Sequence, residues 1–147
     1  MKRSILMTTI LLALAWSPAL AQADSEEAAI RAALEHYLLG HATGDGAHHA
    51  MVFHDVANLY WIRDGELATR TSADYIAGAS GEPAEDEAER RRGITMVDVT
   101  GDAAVARIVL DYPDAVLTDY MSLLKIDGEW KIVNKIFTVE RKAAVER

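Results

Sequence analysis

The last third of the chain constrains the fold more than any other segment. It contains four runs of apolar and β-branched residues, separated by the turn sequences Thr100-Gly101-Asp102, Pro113-Asp114 and Asp127-Gly128. Short turns of this kind between alternating apolar runs are typical of β-hairpins. The pattern therefore predicts an antiparallel meander of four strands, over Ile94–Val99, Ala103–Tyr112, Ala115–Ile126 and Glu129–Val139.

Helical patterns precede this meander. Apolar residues recur at helical spacing from Ser25 to His41, which predicts a first helix with Ser25 as its N-cap. A shorter helix is predicted over Ala47–Val56, and a third from Thr71 or Ser72 to Ala77. The Asp64-Gly65 turn predicts a hairpin between the second and third helices, with strands over Asn58–Arg63 and Glu66–Arg70. This order predicts an α+β fold, with helices packed on one face of a curved sheet.

The first 23 residues have the order of an export signal. Lys2 and Arg3 precede an apolar run from Ile5 to Trp16, and small residues follow at Ala19-Leu20-Ala21 and Ala21-Gln22-Ala23. The apolar run is about a dozen residues, shorter than the roughly 20 that cross a bilayer. We therefore expect a signal peptide over residues 1–23, export to the periplasm or the medium, no stable membrane anchor after cleavage, and a single domain over residues 24–147.

Composition excludes several classes of function. The chain has no cysteine, which excludes disulfides, thiolate metal sites and cysteine nucleophiles. Its formal net charge of −8 becomes −10 if Lys2 and Arg3 are removed with the signal. Because phosphate backbones require a basic surface, this charge argues against nucleic acid as a partner. It leaves room for a locally basic pocket.

Three segments carry a family resemblance: Gly40-His41-Ala42-Thr43-Gly44-Asp45, Phe53-His54, and the run from Leu123 to Phe137 that contains Trp130-Lys131-Ile132-Val133-Asn134-Lys135. With the order of elements, they resemble the nuclear transport factor 2-like superfamily, and within it most closely the putative lumazine-binding family. The resemblance implies a cone-shaped, strongly bent, mostly antiparallel sheet closed by three N-terminal helices, with a pocket between them. The superfamily includes isomerases, cyclases, dehydratases, binding domains and dimerising modules, so the fold does not decide the function.

The pairing of the last two strands predicts which residues face the pocket. If Asp127 and Gly128 are the two turn residues, Ser122 lies opposite Val133 and Tyr120 lies opposite Lys135. Tyr120, Ser122, Val133, Lys135 and Phe137 then share one face. Together with Tyr37 and Trp61 they would form an aromatic pocket with one cation, Lys135, suited to a flat, conjugated or anionic ligand. In the alternative interpretation these rings fill the core and Lys135 extends to the rim.

Resemblance to ketosteroid isomerase places Tyr37 where that enzyme has an oxyanion-stabilising tyrosine. The positions of its general base and its second acid match Trp61 and Ser122, which cannot replace a proton-shuttling carboxylate. Steroid-isomerase chemistry is therefore not expected. His54, expected near the pocket mouth and oriented by Asp55 or Tyr37, is the candidate general base if the protein is an enzyme.

Other polar residues are interpreted as structural. The five histidines lack the i, i+4 spacing of two metal ligands on one helical face, so no metal and no cofactor is predicted. Asp111, Asp114 and Asp119 are expected in turns or on the solvent face. The basic run Arg90-Arg91-Arg92 follows four acids and is expected to be compensated by them.

These observations favour an exported, non-catalytic small-molecule-binding domain of the putative lumazine-binding type. The alternatives are a cyclase-, isomerase- or dehydratase-like enzyme acting on a small hydrophobic or conjugated substrate, and a homodimeric assembly module that pairs through the exposed face of the sheet. The predicted partners are a small-molecule ligand and a second copy of the chain. The predicted ligand-binding residues are Tyr37, His54, Trp61, Tyr120, Ser122, Lys135 and Phe137.

Overall fold

A computed structural model describes residues 18–143 of the protein. Its helices are α1 (Pro18–Thr43), α2 (Gly46–Val52) and α3 (Ser72–Ala77), with a short 3₁₀ turn at Glu87–Glu89. Its strands are β1 (Phe53–Arg63), β2 (Glu66–Thr71), β3 (Arg91–Thr100), β4 (Ala103–Asp111), β5 (Ala115–Ile126) and β6 (Glu129–Arg141). They form one six-stranded sheet in the order β2-β1-β6-β5-β4-β3. Only the β1–β6 pair is parallel among these strands.

The predicted fold class is confirmed: three helices pack against a mostly antiparallel sheet. The hairpin turns are also those predicted, because Asp64-Gly65 and Asp127-Gly128 both adopt positive φ, at 52° and 82° and at 51° and 87°. Two consecutive positive φ values are what a type I′ turn requires, and Asp-Gly provides them at low steric cost. Of the two predicted N-caps of α3, Thr71 is the one observed, and its hydroxyl accepts from the Asp74 amide.

Two predicted helix boundaries were wrong. Helix α1 begins at Pro18, so Ser25 lies inside it and donates its hydroxyl to the carbonyl of Gln22. Helix α2 ends at Val52, and the segment predicted as its last turn begins β1 instead. Phe53 and Ala57 are buried there, in a strand that pairs with β6. Long-range pairing therefore outweighs the local helical pattern.

Helix α1 covers the inner face of the sheet. Its buried residues Ile30, Leu34 and Tyr37 pack on the inward side chains of β4, β5 and β6. At one end, Glu26 accepts hydrogen bonds from Lys125 Nζ at 2.7 and 2.9 Å and from the Trp130 indole at 3.0 Å. These bonds fix the start of α1 to the β5–β6 hairpin.

One irregularity in the β5–β6 ladder decides which side chains face inward. Ile126 pairs with Glu129 as predicted, but the register shifts between Leu123, which pairs with Ile132, and Ser122, which pairs with Asn134. Val133 is the extra residue of a β-bulge. Beyond it, Tyr120 pairs with Ile136 rather than with Lys135. The predicted shared face of Tyr120, Ser122 and Lys135 was therefore wrong, because a one-residue shift exchanges the two faces of a strand.

Most of the predicted signal peptide lies outside the described residues. Its last six positions, residues 18–23, form the beginning of α1. Between residues 18 and 143, no helix is long and apolar enough to cross a membrane.

Candidate functional site

The candidate site is a cavity of about 270 Å³ enclosed by α1, α3 and strands β1, β2, β5 and β6. Its lining combines aromatic rings, aliphatic side chains and cations. The residues are His41, Leu59, Trp61, Arg63, Arg70, Tyr75, Leu117, Lys135, Phe137 and Val139. Within the described part of the chain, this lining contains no Asp or Glu.

Flat aromatic surfaces form the walls. Trp61 of β1 and Phe137 of β6 stack at 5.2 Å between ring centroids, with 26° between their planes. Tyr75 of α3 lines the same space, and its hydroxyl lies 2.9 Å from Nε2 of His41. Stacked and edge-on rings of this kind accept a planar ligand without a large change in shape.

A buried polar triad forms the floor. Lys135, which is 3% exposed, donates from Nζ to the Tyr37 hydroxyl at 2.5 Å. The Tyr37 hydroxyl in turn donates to Oδ2 of Asp119 at 2.6 Å. Lys135 Nζ also lies 3.1 Å from Oδ1 of Asp119, as a charge contact outside hydrogen-bond geometry. Tyr37 and Asp119 are both fully buried, so the three groups are isolated from water except where the cavity reaches Lys135.

Burial changes the acid–base properties of the triad. It lowers the pKa of the Lys135 ammonium, against the opposing effect of the Asp119 carboxylate. Burial, followed by the negative charge of Asp119, raises the pKa of the Tyr37 hydroxyl well above its usual value. Tyr37 therefore stays protonated. The ammonium is closer to releasing its proton than an exposed lysine would be.

Two arginines add positive charge at the rim. The guanidinium carbon of Arg63 lies 5.1 Å from the centroid of the Trp61 ring, and that of Arg70 lies 5.9 Å from it. Both side chains are exposed, and neither forms an ion pair with a described carboxylate. The sequence prediction of a single cation was therefore incomplete. The Asp64-Gly65 hairpin register, which pairs Leu59 with Arg70, could have located the second arginine.

The structure brings together part of the predicted ligand-binding set. Trp61, Lys135 and Phe137 line the cavity, and Tyr37 lies directly beneath Lys135. Tyr120 and Ser122 lie on the outer face of the sheet, because the bulge at Val133 shifts the pairing of β5 with β6 by one residue.

His54 does not line this cavity. It was expected at the end of the second helix, but it is the second residue of β1. Its Nδ1 accepts from the Val56 amide, and its carbonyl accepts from the Ser72 hydroxyl.

Asp119 is the residue that sequence reasoning missed. It was expected on the solvent face, yet it is fully buried and contacts both Tyr37 and Lys135. The expectation for the other two acids was correct, since Asp111 and Asp114 form exposed ion pairs with Lys142 and Arg141. The signal was present in β5, where Asp119 occupies the same alternate positions as the buried Ala115, Met121 and Leu123.

The presence of Asp119 does not create the oxyanion site of a steroid isomerase. An acid that donates a hydrogen bond to an oxyanion must carry a proton. Here Lys135 lies beside the carboxylate as its counter-charge, and the Tyr37 proton is directed to that carboxylate.

Two histidines, His41 and His49, lie against the Tyr37 ring. His41 Nδ1 lies 3.3 Å from the Tyr112 hydroxyl, and burial followed by the charge of Lys135 lowers the pKa of His41 well below its usual value. His49 is buried against Tyr37 and Tyr75, and the same two causes lower its pKa to about 4. Gly40 makes room for this ring, since a Cβ there would lie 2.5 Å from it. Both imidazoles are therefore neutral at pH 7.

Other depressions lack this combination of features. A larger one of about 510 Å³ lies between α1 and the start of β6 and is bordered by the pair Glu129–Lys131. Another of about 300 Å³ lies on the outer face of the sheet. Its apolar residues are exposed by 67% (Ile62), 72% (Leu67), 45% (Tyr120) and 49% (Ile136). The basic run contributes to neither, because Arg90 and Arg92 pair with Asp86 and Glu87 as expected.

Comparison with known proteins now identifies the family. Residues 25–138 match the family described as "Putative lumazine-binding". The chain belongs to this family. The match covers α1 from Ser25 onward, α2, α3 and nearly all of the sheet, including every residue of the cavity except Val139.

Two solved structures and one further relative are similar to this chain. A nuclear transport factor 2-like protein of unknown function from Shewanella baltica OS155 is 26% identical, with a TM-score of 0.72 over 80% of this chain and 95% of that one. A similar protein from Methylobacillus flagellatus KT is 28% identical, with a TM-score of 0.67 over 79% and 93%. "Aldolase FrzH" from Cladobotryum sp is 25% identical over 85 residues, 58% of this chain and 68% of that protein.

Proposed function

We propose that the cavity binds a small aromatic anion of one or two rings. The observation that carries this proposal is the lining itself: three aromatic side chains and three cations, with no acid among the described residues that form it. The rest of the molecule is acidic, with a net charge of −8 for the full chain. A basic pocket in an acidic protein concentrates positive potential where an anionic ligand would enter.

The two arginines supply the unbalanced charge. Asp119 already neutralises Lys135, so the floor carries little net charge. Arg63 and Arg70 have no such partner between residues 18 and 143, and they lie against the ring that would stack on the ligand. A carboxylate at the rim could accept hydrogen bonds from them while its ring contacts Trp61 and Phe137.

The volume limits the size of the ligand. Pockets for small molecules usually occupy about 300–1,000 Å³, and this cavity, at about 270 Å³, is slightly smaller than that range. The family's description suggests a pteridine such as lumazine, a planar two-ring compound. Pteridines and single-ring aromatic acids therefore suit the space better than three-ring flavins.

Thermal shift and calorimetry with lumazine, pterin-6-carboxylate, benzoate derivatives and riboflavin test the proposal. An anionic hit should raise the melting temperature, since a ligand at about 100 times its Kd adds roughly 2.7 kcal/mol of stability. Replacing both Arg63 and Arg70 by Gln should weaken that hit by about 1–3 kcal/mol, the range of a hydrogen bond to a charged group. The melting temperature of the free protein should hardly change, because both side chains are exposed.

Arg141→Gln is the matched control. It removes the same charge from an exposed pair with Asp114, outside the cavity lining. It should leave affinity unchanged. Failure of every one- and two-ring anion to bind, or equal weakening by Arg141→Gln and by the double variant, would contradict the proposal.

We further propose that the protein acts after export and as a homodimer. The order of basic, apolar and small residues over positions 1–23 supports export. The outer face of the sheet supports pairing, since it exposes Ile62, Leu67, Tyr120 and Ile136 together. A two-fold pair of such faces would bury these side chains and leave the cavity, on the inner face, open to ligand.

A second candidate is an enzyme acting on a small carbonyl compound. The similarity to a protein named an aldolase favours it, as does the buried amine of Lys135 at the cavity floor. Recovery of the bound probe after binding separates the two candidates. An unchanged probe supports a binding domain, and a new product supports an enzyme.

A further inference from the structure

The chemistry of the cavity floor goes beyond what an anion-binding pocket needs. Between residues 18 and 143, Lys135 is the one lysine that lines the cavity, and Tyr37 and Asp119 contact its Nζ from below. A lysine that served only to attract an anion would not require a carboxylate that cancels its charge. A lysine that must release its proton does require a nearby acceptor.

We propose that Lys135 captures an aldehyde or ketone group of the ligand as a reversible imine. This inference rests on the proposed function, because it uses the same cavity, and it specifies the ligand as an aromatic anion that carries a carbonyl. Capture is covalent binding, and it requires no turnover of the ligand.

The surroundings of Nζ favour such a reaction. Nζ lies 4.8 Å from the centroid of the Phe137 ring and 5.5 Å from that of Tyr75. These rings place apolar surface around the amine, which is itself buried. Burial lowers the pKa of Lys135, and each unit of that change raises the fraction of free amine at neutral pH about tenfold.

The proton has a defined acceptor. Oδ1 of Asp119 is buried, lies 3.1 Å from Nζ, and forms no hydrogen bond with the described residues. Oδ2 is occupied by the Tyr37 hydroxyl at 2.6 Å. A proton can therefore move from Nζ to Oδ1 without breaking a hydrogen bond at the carboxylate, and it converts two buried charges into two neutral groups.

The reaction balances with these groups alone. After Lys135 gives a proton to Asp119, its lone pair forms a C–N bond with the carbonyl carbon, and the C=O π pair moves to oxygen. Asp119 returns the proton to that oxygen and accepts one from the nitrogen, giving a neutral carbinolamine. The nitrogen lone pair then forms the C=N bond, and the hydroxyl leaves with the Asp119 proton as water. The product is a protonated imine beside the Asp119 carboxylate. It carries the same two charges as the starting ammonium and carboxylate.

The experiment uses 4-carboxybenzaldehyde, an aromatic anion with an aldehyde, and cyanoborohydride to reduce any imine to a stable amine. Peptide mapping by mass spectrometry then measures the trapping rate at each lysine. We expect trapping at Lys135 at least about tenfold faster than at Lys142, whose side chain is 39% exposed. Excess 4-methylbenzoate, which has no aldehyde, should suppress the adduct at Lys135 and leave the one at Lys142.

Lys135→Arg keeps the charge but cannot form the imine. It should lose the adduct while 4-methylbenzoate still binds by calorimetry. If this variant does not fold, the comparison of Lys135 with Lys142 in the unmodified protein decides the question alone.

Two outcomes would overturn the proposal in different ways. In the first, 4-methylbenzoate binds but the exposed Lys142 is trapped faster than the buried Lys135. The cavity is then a ligand site without imine chemistry. If neither compound binds and Lys135 is not trapped, the proposed function fails together with the inference.

Discussion

Removing one partner of the buried Lys135–Asp119 pair should destabilise the protein strongly. In Asp119→Asn, the ammonium stays at 3% exposure without a counter-charge. In Lys135→Met, the carboxylate stays fully buried with the Tyr37 hydroxyl as its only hydrogen-bond donor among the described residues. Each change should cost about 3–5 kcal/mol, the range for one buried charge left unpaired. Domains are typically stable by about 5–15 kcal/mol, so the loss is measurable.

The double variant should be more stable than either single variant. Asp119→Asn combined with Lys135→Met leaves no buried charge, and the Asn carbonyl can still accept from the Tyr37 hydroxyl. Replacing a buried ion pair with neutral groups of similar volume is often nearly neutral. Removing one member of the pair therefore costs much stability, whereas replacing both members costs little. This is expected where a charge pair serves a site rather than the core.

The pH dependence identifies the buried ammonium as the cause. Burial already lowers the pKa of Lys135 in the folded protein, and loss of the Asp119 carboxylate removes the effect that opposes it. The unfolded chain keeps its lysine protonated up to a pKa of about 10.4. The unfolded state then binds more protons than the folded state, so stability rises with pH. Asp119→Asn should recover part of its loss between about pH 7 and 10, and Lys135→Met should not.

Urea unfolding followed by tryptophan fluorescence measures these differences. Lys142→Met and Asp111→Asn are the matched controls, because their pair is 39% and 51% exposed and should contribute only about 0–1 kcal/mol. The reasoning is refuted if the Lys135 and Asp119 variants lose no more than these controls. It is also refuted if the losses of the two single variants simply add in the double variant.

Two further predictions concern the state of the protein in cells and in solution. Protein recovered from a secreting host should begin at Gln22 or Asp24 by mass spectrometry, and a mature chain that still begins at Met1 would contradict export. Sedimentation should show a single dimeric species, which Ile136→Glu on the outer face should convert to monomer. Thr100→Glu, a control at the exposed end of the edge strand β3 and outside that apolar group, should leave the dimer intact. A strict monomer at high concentration would remove the dimer proposal.

The parts of the fold that sequence predicted correctly depend on local signals. Asp127-Gly128 favours a tight turn independently of distant contacts, because both residues readily adopt the positive φ that a type I′ turn requires. Thr71 caps α3 through a bond to an amide three residues away. The start of β1 was wrong because a local helical pattern competed with pairing to β6, nearly 80 residues later along the chain. No local pattern reports such pairing.

The site was predicted only in part for the same reason. Trp61, Lys135 and Phe137 were among the predicted pocket residues and line the cavity, but Lys135 and Phe137 face it only because the bulge at Val133 shifts the alternation of β6. Asp119 was assigned outward because the pairing was counted without an extra residue. Its own strand gave the better indication, since its alternate neighbours Met121 and Leu123 are apolar and buried. A carboxylate is costly to bury unless it is paired and hydrogen-bonded. An acid at a strand position that is otherwise apolar and buried therefore indicates a cation or hydrogen-bond donor beside it in the interior.

The bulge at Val133 links the core of this protein to its site. Before the bulge, Trp130 and Ile132 face inward from even positions of β6, and after it Lys135 faces inward from an odd position. One strand can thus fill the core at one end and present an amine to the cavity at the other. Without the extra residue, Asn134 would take the place of Lys135 opposite Met121, and the Asp119 carboxylate would have no counter-charge. The residue that determines the charge of the floor is therefore Val133, which does not line the cavity.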